Sequence, residues 1–224
     1  MSQGVSYLFV KIMSIFCLTD TNNLYIMALT PLILLTLVIY GGIMKTIVIY
    51  RSKTGFTEKY AQLISKELSC QCLEYKAAKN IDLTSYDYVI YGGSLYASGI
   101  LGLKKMLSQM NFNLNKELLI FAVGTTPPSD GLVATLTEHN LSPELQKHAK
   151  LFYMRGGFNY NKLNFFDKFL MNIMKKTIQK KPEDERTADE RGMLAAFDRP
   201  LDVSNERFIE PLISYYKEVT YHDE

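Results

Sequence analysis

Ser52-Lys53-Thr54-Gly55-Phe56-Thr57 packs three hydroxyls, one ammonium and one glycine into six consecutive residues. Such a stretch suits an anion when a strand precedes it and a helix follows, because backbone N–H groups and the positive end of the helix dipole then converge on one point. Ser52, Thr54 and Thr57 add hydroxyl donors, and Gly55 lets the chain turn tightly. The Gly-x-x-x-x-Gly-Lys of triphosphate loops and the Gly-x-Gly-x-x-Gly of dinucleotide sites are both missing, so the favoured anion is a phosphate monoester. The competing reading is an ordinary capped helix start, and this segment alone does not decide between them.

Two more clusters have a ligand-binding composition: Gly92-Gly93-Ser94-Leu95-Tyr96, and Gly124-Thr125-Thr126-Pro127-Pro128-Ser129-Asp130-Gly131. Both read as loops in which glycine brings backbone close to a ligand. Tyr96 is a candidate for stacking, whereas Tyr50 and Tyr91, inside apolar runs, read as packing residues. No Ser/His/Asp or Cys/His arrangement is visible, which fits chemistry supplied by a cofactor. Cys17, Cys70 and Cys72 are too few for a disulfide framework and read as reduced thiols. His139, His148 and His222 are scattered, so no metal is expected. With 25 basic against 23 acidic residues, the net charge of +2 gives no ground for nucleic-acid binding.

The elements that must position these residues alternate. Residues 47–50 form a short β-branched run, expected as a strand buried on both faces. A helix follows, with Thr57 as a possible cap, Glu58 in its first turn and Tyr60, Ala61, Ile64 and Leu68 on one face. Strands are expected at 70–75, 86–91, 117–123 and 149–154, with helices at about 99–110, from about 132 with a restart at Pro143, and at about 204–216. A polar crossover joins the second strand to Asp82. This alternation predicts an α/β fold with a doubly wound, five-stranded parallel sheet, whose ligands bind beyond the carboxyl ends of the strands.

Residues 158–199 exceed what a crossover needs and read as an insertion after the fifth strand. Its first half, 161–181, sets Phe166, Phe169, Leu170, Ile173, Met174 and Thr177 on one helical face, read equally as core contacts or as a binding face. Lys162, Lys168, Lys175, Lys176, Lys180 and Lys181 lie elsewhere, against Asp167 as the single acid. Residues 182–191 are charged and expected to be exposed. Residues 1–43 form a hydrophobic extension: 21–44 carry no charge, which is long enough for a membrane span, but Pro31 interrupts them and the first strand follows without a linker. The readings are an upstream translation artefact, a membrane anchor or signal-like segment, or a segment packed on the domain at 44–224.

At Ser52, Thr54, Gly55 and Thr57 the chain resembles the flavodoxin family, whose FMN phosphate loop reads Ser/Thr-x-Thr-Gly-x-Thr. The resemblance runs from Met44 to the C terminus. It implies a flavodoxin-like sheet of order 2-1-3-4-5, with FMN phosphate held by residues 52–57 and the flavin ring flanked by Gly92, Gly93, Ser94, Leu95 and Tyr96 and by Gly124, Thr125 and Thr126. The stretch from Arg155 through Tyr160 to Phe165–Phe169 is similar to the branch containing menaquinone-dependent protoporphyrinogen IX dehydrogenase. That likeness implies an FMN-dependent oxidoreductase that acts on protoporphyrinogen IX or a similar substrate and passes electrons to a quinone. The basic, aromatic helix at 161–181 would face the acidic porphyrin, the quinone or a membrane surface, with Arg155 nearby. The expected location is the cytoplasm, with membrane association left open. The rival is a flavodoxin-type electron carrier with a redox protein as partner, whose usual strongly acidic character contrasts with the pI of about 8.3 here.

Overall fold

The structure is a computed structural model that describes residues 44–96, 99–109 and 117–222. The hydrophobic extension at 1–43 lies outside the described residues. Lys45–Ile213 form one compact unit. A second unit comprises residues 1–44 and 214–224, of which Met44 and the C-terminal part of the last helix are described.

The central strand β1 (Thr46–Arg51) owes its position to Ile47, Val48 and Ile49, all fully buried, as expected for a strand covered on both faces. Helix α1 (Phe56–Glu67) returns over the sheet and buries Tyr60, Ala61 and Ile64. Strand β2 (Gln71–Glu74) leads into a short helix α2 (Tyr75–Ala78) instead of a wholly polar crossover. The Glu74 side chain caps α2 by accepting from the Lys76 N–H, while Tyr75 and Ala78 supply buried contacts.

Strand β3 runs from Tyr88 to Tyr96, and β4 (Gly99–Ile100) pairs antiparallel with its end, Leu95 opposite Ile100 and Tyr96 opposite Gly99. This corrects two expectations. The cluster at 92–96 is strand, not loop, and the helix expected from Gly99 begins only at α3 (Leu103–Gln109). The physical reason is pairing on both sides. Gly92 and Gly93 lie opposite Tyr50 and Arg51 on β1 and opposite Phe121 and Ala122 on the next parallel strand, so the ladder continues through them.

β5 (Leu118–Gly124), α4 (Leu132–Asn140) and β6 (Ala149–Arg155) complete the parallel sheet. The restart at Pro143 gives only a 3₁₀ turn, Leu145–Lys147. Sheet order is β2-β1-β3-β5-β6, all parallel, with β4 attached at the end of β3. Counting parallel strands alone, this is the expected 2-1-3-4-5 order. The core of one face joins Ile47, Ile49, Tyr91, Leu118 and Ile120 to Leu103, Met106 and Leu136.

After β6, a two-stranded ribbon of β7 (Gly157–Phe158) and β8 (Leu201–Asp202) brackets the insertion. Within it lie a 3₁₀ turn at Tyr160–Lys162, helix α5 (Phe165–Gln179) and helix α6 (Ala188–Asp198). Asn164 caps α5, and a capping box of Thr187 and Glu190 starts α6. Phe158 and Tyr160 meet Phe197 of α6, with ring centroids 6.1 and 5.2 Å apart. The apolar face of α5 is not core: Phe166, Phe169 and Ile173 are exposed, and the buried side carries Asp167 and Ile178 instead. The last helix, α7, spans Glu210–His222, later than expected because Glu206–Ile209 is a 3₁₀ turn.

Candidate functional site

The strand order reverses between β1 and β3, since the chain leaves β1 for β2 on one side and returns to β3 on the other. A crevice therefore opens at the carboxyl ends of these two strands. Residues 52–57 fill its lip. Ser52 Oγ accepts from the Gly55 N–H at 3.0 Å, closing a tight turn. Gly55 is the cap residue of α1 with φ of 96°, a left-handed conformation that favours glycine.

Gly55 also means that no side chain caps α1. Thr57, a possible cap by sequence, instead sits inside the first turn, fully buried, with its hydroxyl 2.8 Å from Ser94 Oγ. That contact ties the first candidate segment to the second across the β1–β3 crevice. The second meets the third in turn, because an added Cβ at Gly124 would lie 3.0 Å from Leu95 Cδ1. Three segments far apart in sequence thus converge at one sheet edge.

Gly92 and Gly93 do not line that edge. Both are buried, and a Cβ at Gly92 would stand 2.0 Å from Phe121 Cζ, while one at Gly93 would stand 2.5 Å from Ile100 Cγ2. Their lack of a side chain is required by close packing. Ser94 and Leu95 are half-buried, Leu95 against the core, and Tyr96 is exposed at 41%. The Lys53 ammonium lies 4.0 Å from the Tyr96 ring centroid.

Thr125 and Thr126 belong to a loop pinned through its carbonyls. Tyr153 donates its hydroxyl to the Thr126 carbonyl at 2.7 Å, and Arg155 Nη2 donates to the Thr125 carbonyl at 3.3 Å. Burial pushes the Tyr153 phenol up to about 12, so it remains a donor at neutral pH. Arg155 Nε is buried and has no hydrogen-bond partner, an unsatisfied cationic donor that an anionic or carbonyl ligand would complete. Phe56 leans the other way, its ring filling the space left by Gly156 and Gly157. Tyr50 is a packing residue bonded to Glu58 at 2.9 Å, and burial with that bond raises its phenol to about 12. Tyr91 is fully buried and donates to the Leu101 carbonyl at 2.8 Å.

The insertion, expected near Arg155, also meets the 52–57 loop, a contact that sequence reasoning did not foresee. A cleft of about 320 Å³ is lined by Thr54, Gly55, Phe56 and Lys59 from the loop and α1, by Asn159 and Lys162 from the 3₁₀ turn, and by residues 200–202. Lys162 Nζ stands over Gly55, 3.8 Å from where a Cβ would be. Lys53 Nζ pairs with Asp167 Oδ1 of α5 at 2.5 Å, and Asp167 is 3% exposed with Oδ2 unpartnered. The sequence marked Lys162 and Asp167 only as members of a basic helix; nothing local indicated that the insertion folds back on the loop.

The chain matches the flavodoxin domain family over residues 47–185, and it belongs to that family. No curated protein sequence matches it significantly. Among solved structures, it is similar to a WrbA-like flavodoxin from Agrobacterium tumefaciens, with 19% identity over 49% of this chain and 83% of that one, at a TM-score of 0.35. A flavoprotein from Lactobacillus acidophilus NCFM in complex with FMN gives 18% identity, 50% and 92% coverage and a TM-score of 0.34. A Fusobacterium nucleatum flavodoxin variant bound to flavin mononucleotide gives 18% identity, 55% and 74% coverage and a TM-score of 0.34.

Proposed function

We propose that this flavodoxin-family chain binds FMN and acts as an FMN-dependent oxidoreductase, with the phosphate at residues 52–57 and the ring against Leu95, Tyr96 and the 124–126 loop. The observation that carries this reading is the start of α1. Its cap is a glycine, which supplies no side-chain acceptor to the N–H groups of the first turn, and Lys59 and Lys162 line the cleft beside it. A capped helix start, the alternative reading of the same residues, would have used a hydroxyl there. A dianionic monoester suits this arrangement, because it can accept from backbone N–H groups and hydroxyls together and gains from both ammonium groups.

FMN, once bound, supplies a ring that takes up and returns electrons. The chain's own residues do the rest. Thr54 lines the cleft and offers its hydroxyl to the phosphate, while Thr57 acts indirectly by fixing Ser94 across the crevice. Arg155 offers its unpartnered Nε at the carboxyl end of β6. Tyr96, with Lys53 on one face of its ring, is positioned by that cation. Tyr153 and Arg155 hold the carbonyls of Thr126 and Thr125, so the 124–126 loop presents a set backbone geometry to a ligand.

The substrate we favour is protoporphyrinogen IX or a similar acidic reductant, with a quinone as acceptor. Support comes from the likeness of residues 155–169 to that oxidoreductase branch and from the basic, aromatic insertion that reaches the phosphate loop through Lys162 and Lys53. Purified protein would be loaded with FMN and exposed to protoporphyrinogen IX without oxygen. Bleaching of the visible flavin absorbance supports porphyrinogen oxidation. A flavin spectrum left unchanged would return the function to an electron carrier, and failure to take up FMN would overturn the cofactor assignment.

A further inference from the structure

Helix α5 carries five of the eight exposed large hydrophobic residues found among the described residues, so its apolar surface is a patch and not scatter. Phe165 is 88% exposed, Phe166 66%, Phe169 55%, Ile173 49% and Met174 37%. At about 100° per residue, Phe165, Phe169 and Ile173 fall within an arc of about 80°, with Phe166 at its edge. Lys176 and Lys180 fall in that same arc one to two turns further along. The outward face is therefore divided lengthwise: an aromatic ridge in its first half and a pair of exposed ammonium groups in its second.

Along the helix itself the exposed charge is basic, while acids of α6 meet its flank and its C-terminal end: Lys175 lies 3.8 Å from Asp198 and Lys181 2.6 Å from Glu190, leaving Lys176 and Lys180 on the outward face. From Lys168 to Pro182 there is no acidic residue. Asp167 is buried and engaged with Lys53. Lys168 and Lys175 lie on the flank, over the Tyr160 and Phe197 rings at 5.8 and 4.8 Å. A single helix that presents its side chains outward is a convex ridge with cations at one end. Such a ridge matches a deformable, negatively charged surface into which rings can sink while lysines stay at the level of the phosphates.

We propose that α5 is an in-plane docking helix for an anionic lipid bilayer. Phe165, Phe166, Phe169 and Ile173 enter the interfacial zone, and Lys176 and Lys180 contact lipid phosphates. With 15 residues α5 cannot span a membrane, and no helix among the described residues is long and apolar enough to do so. Docking also has a consequence for position. Asp167, between Phe166 and Phe169 on the chain, grips Lys53 of the phosphate loop, so the candidate FMN site would lie beside the lipid surface, where a lipid-dissolved electron acceptor can arrive. That consequence rests on the FMN reading; the docking does not.

The test uses the full chain and co-flotation with vesicles of pure phosphatidylcholine or of phosphatidylcholine mixed with phosphatidylglycerol. Partitioning should favour the phosphatidylglycerol vesicles and fall in high salt. Phe165→Ser with Phe169→Ser should lower the partition coefficient by at least about tenfold, and Lys176→Glu with Lys180→Glu by a similar factor. Because the chain contains no tryptophan, Phe169→Trp gives a single reporter that keeps the ridge intact. Its emission should shift to the blue and be quenched by bromolipids when phosphatidylglycerol vesicles are added. Partitioning unchanged by either pair of substitutions, no preference for phosphatidylglycerol, or an indole emission in the Phe169→Trp variant that ignores vesicles would each overturn the proposal. So would sedimentation showing a dimer that the two serine substitutions dissociate, since a second copy would then cover the ridge. FMN binding, measured separately, is expected to be the same in all these variants.

Discussion

Gly92→Ala separates two roles that a glycine at the end of a sheet strand can play. If Gly92 exists to let backbone approach a ligand, alanine costs cofactor affinity; if it exists to let β3 and β5 pack, alanine costs stability. The structure favours the second. The added methyl would stand 2.0 Å from Phe121 Cζ and 2.5 Å from both Cε atoms, and Phe121 is the directly opposed residue on β5 with no exposed surface. Overpacking of this kind costs about 1–3 kcal/mol. The upper half of that range applies, because strands paired on both sides keep Gly92 from retreating and the ring has no solvent to turn into. At about 2–4 °C per kcal/mol for a domain of this size, the melting temperature should fall by about 4–12 °C. Urea and thermal unfolding of Gly92→Ala, Phe121→Leu and the double variant would form a cycle, with the double variant more stable than the sum of the two single losses. FMN affinity of the folded Gly92→Ala protein should stay near that of the parent. An alanine variant that melts like the parent but no longer binds FMN would refute this reasoning and restore the ligand-approach reading.

Lys53→Met should destabilise the protein by about 3 kcal/mol by leaving the Asp167 carboxylate buried and unpaired, whereas Asp167→Asn should cost less, since Lys53 keeps a quarter of its surface for water; urea midpoints compare the two. Lys162→Gln should weaken FMN about tenfold and leave riboflavin, which lacks the phosphate, unaffected in a flavin-fluorescence titration. Thr57→Val should cost about 1 kcal/mol of stability because Ser94 loses its partner, while Thr54→Val should spare stability and lower FMN affinity, both read from the same samples. Alkaline unfolding should be steep: burial lifts Cys70 to about 11 and Tyr153 to about 12, and burial with the Glu58 bond lifts Tyr50 to about 12. The folded state therefore holds these protons more tightly, so this stabilisation is complete below the ordinary thiol and phenol values and is lost as pH rises from about 9 toward 12, which urea midpoints at a series of pH values would follow.

The sheet was legible because each strand is a local signal: Ile47, Val48 and Ile49, or Leu118 through Val123, are apolar runs that only a doubly covered strand explains, and alternation with helices then dictates parallel order. The turn at 52–57 between β1 and α1 was legible for a similar reason, since its hydroxyls and Gly55 are contiguous. The glycines at 92 and 93 misled as to a loop, because a glycine needed for a ring on the neighbouring strand looks, along the chain, the same as one in a loop; only the register that sets Phe121 opposite Gly92 reveals the strand. The face of α5 was left undecided between core and exposed surface, because periodicity reports that a helix has an apolar side without reporting whether anything covers it.

The pairing of Lys53 with Asp167 could not be read at all, being a contact between positions separated by 114 residues. Yet it decides how the site works as a unit. Lys53 is the variable second residue of the Ser/Thr-x-Thr-Gly-x-Thr pattern, so in this chain the position that the pattern leaves open clamps the insertion onto the anion loop. Its ammonium pairs with the buried Asp167 carboxylate and lies over the Tyr96 ring. One side chain thereby links the loop, the stacking candidate and the helix bearing the exposed aromatic ridge. A change at Lys53 should accordingly disturb stability, cofactor affinity and the placement of α5 together, whereas Lys162→Gln should disturb cofactor affinity alone.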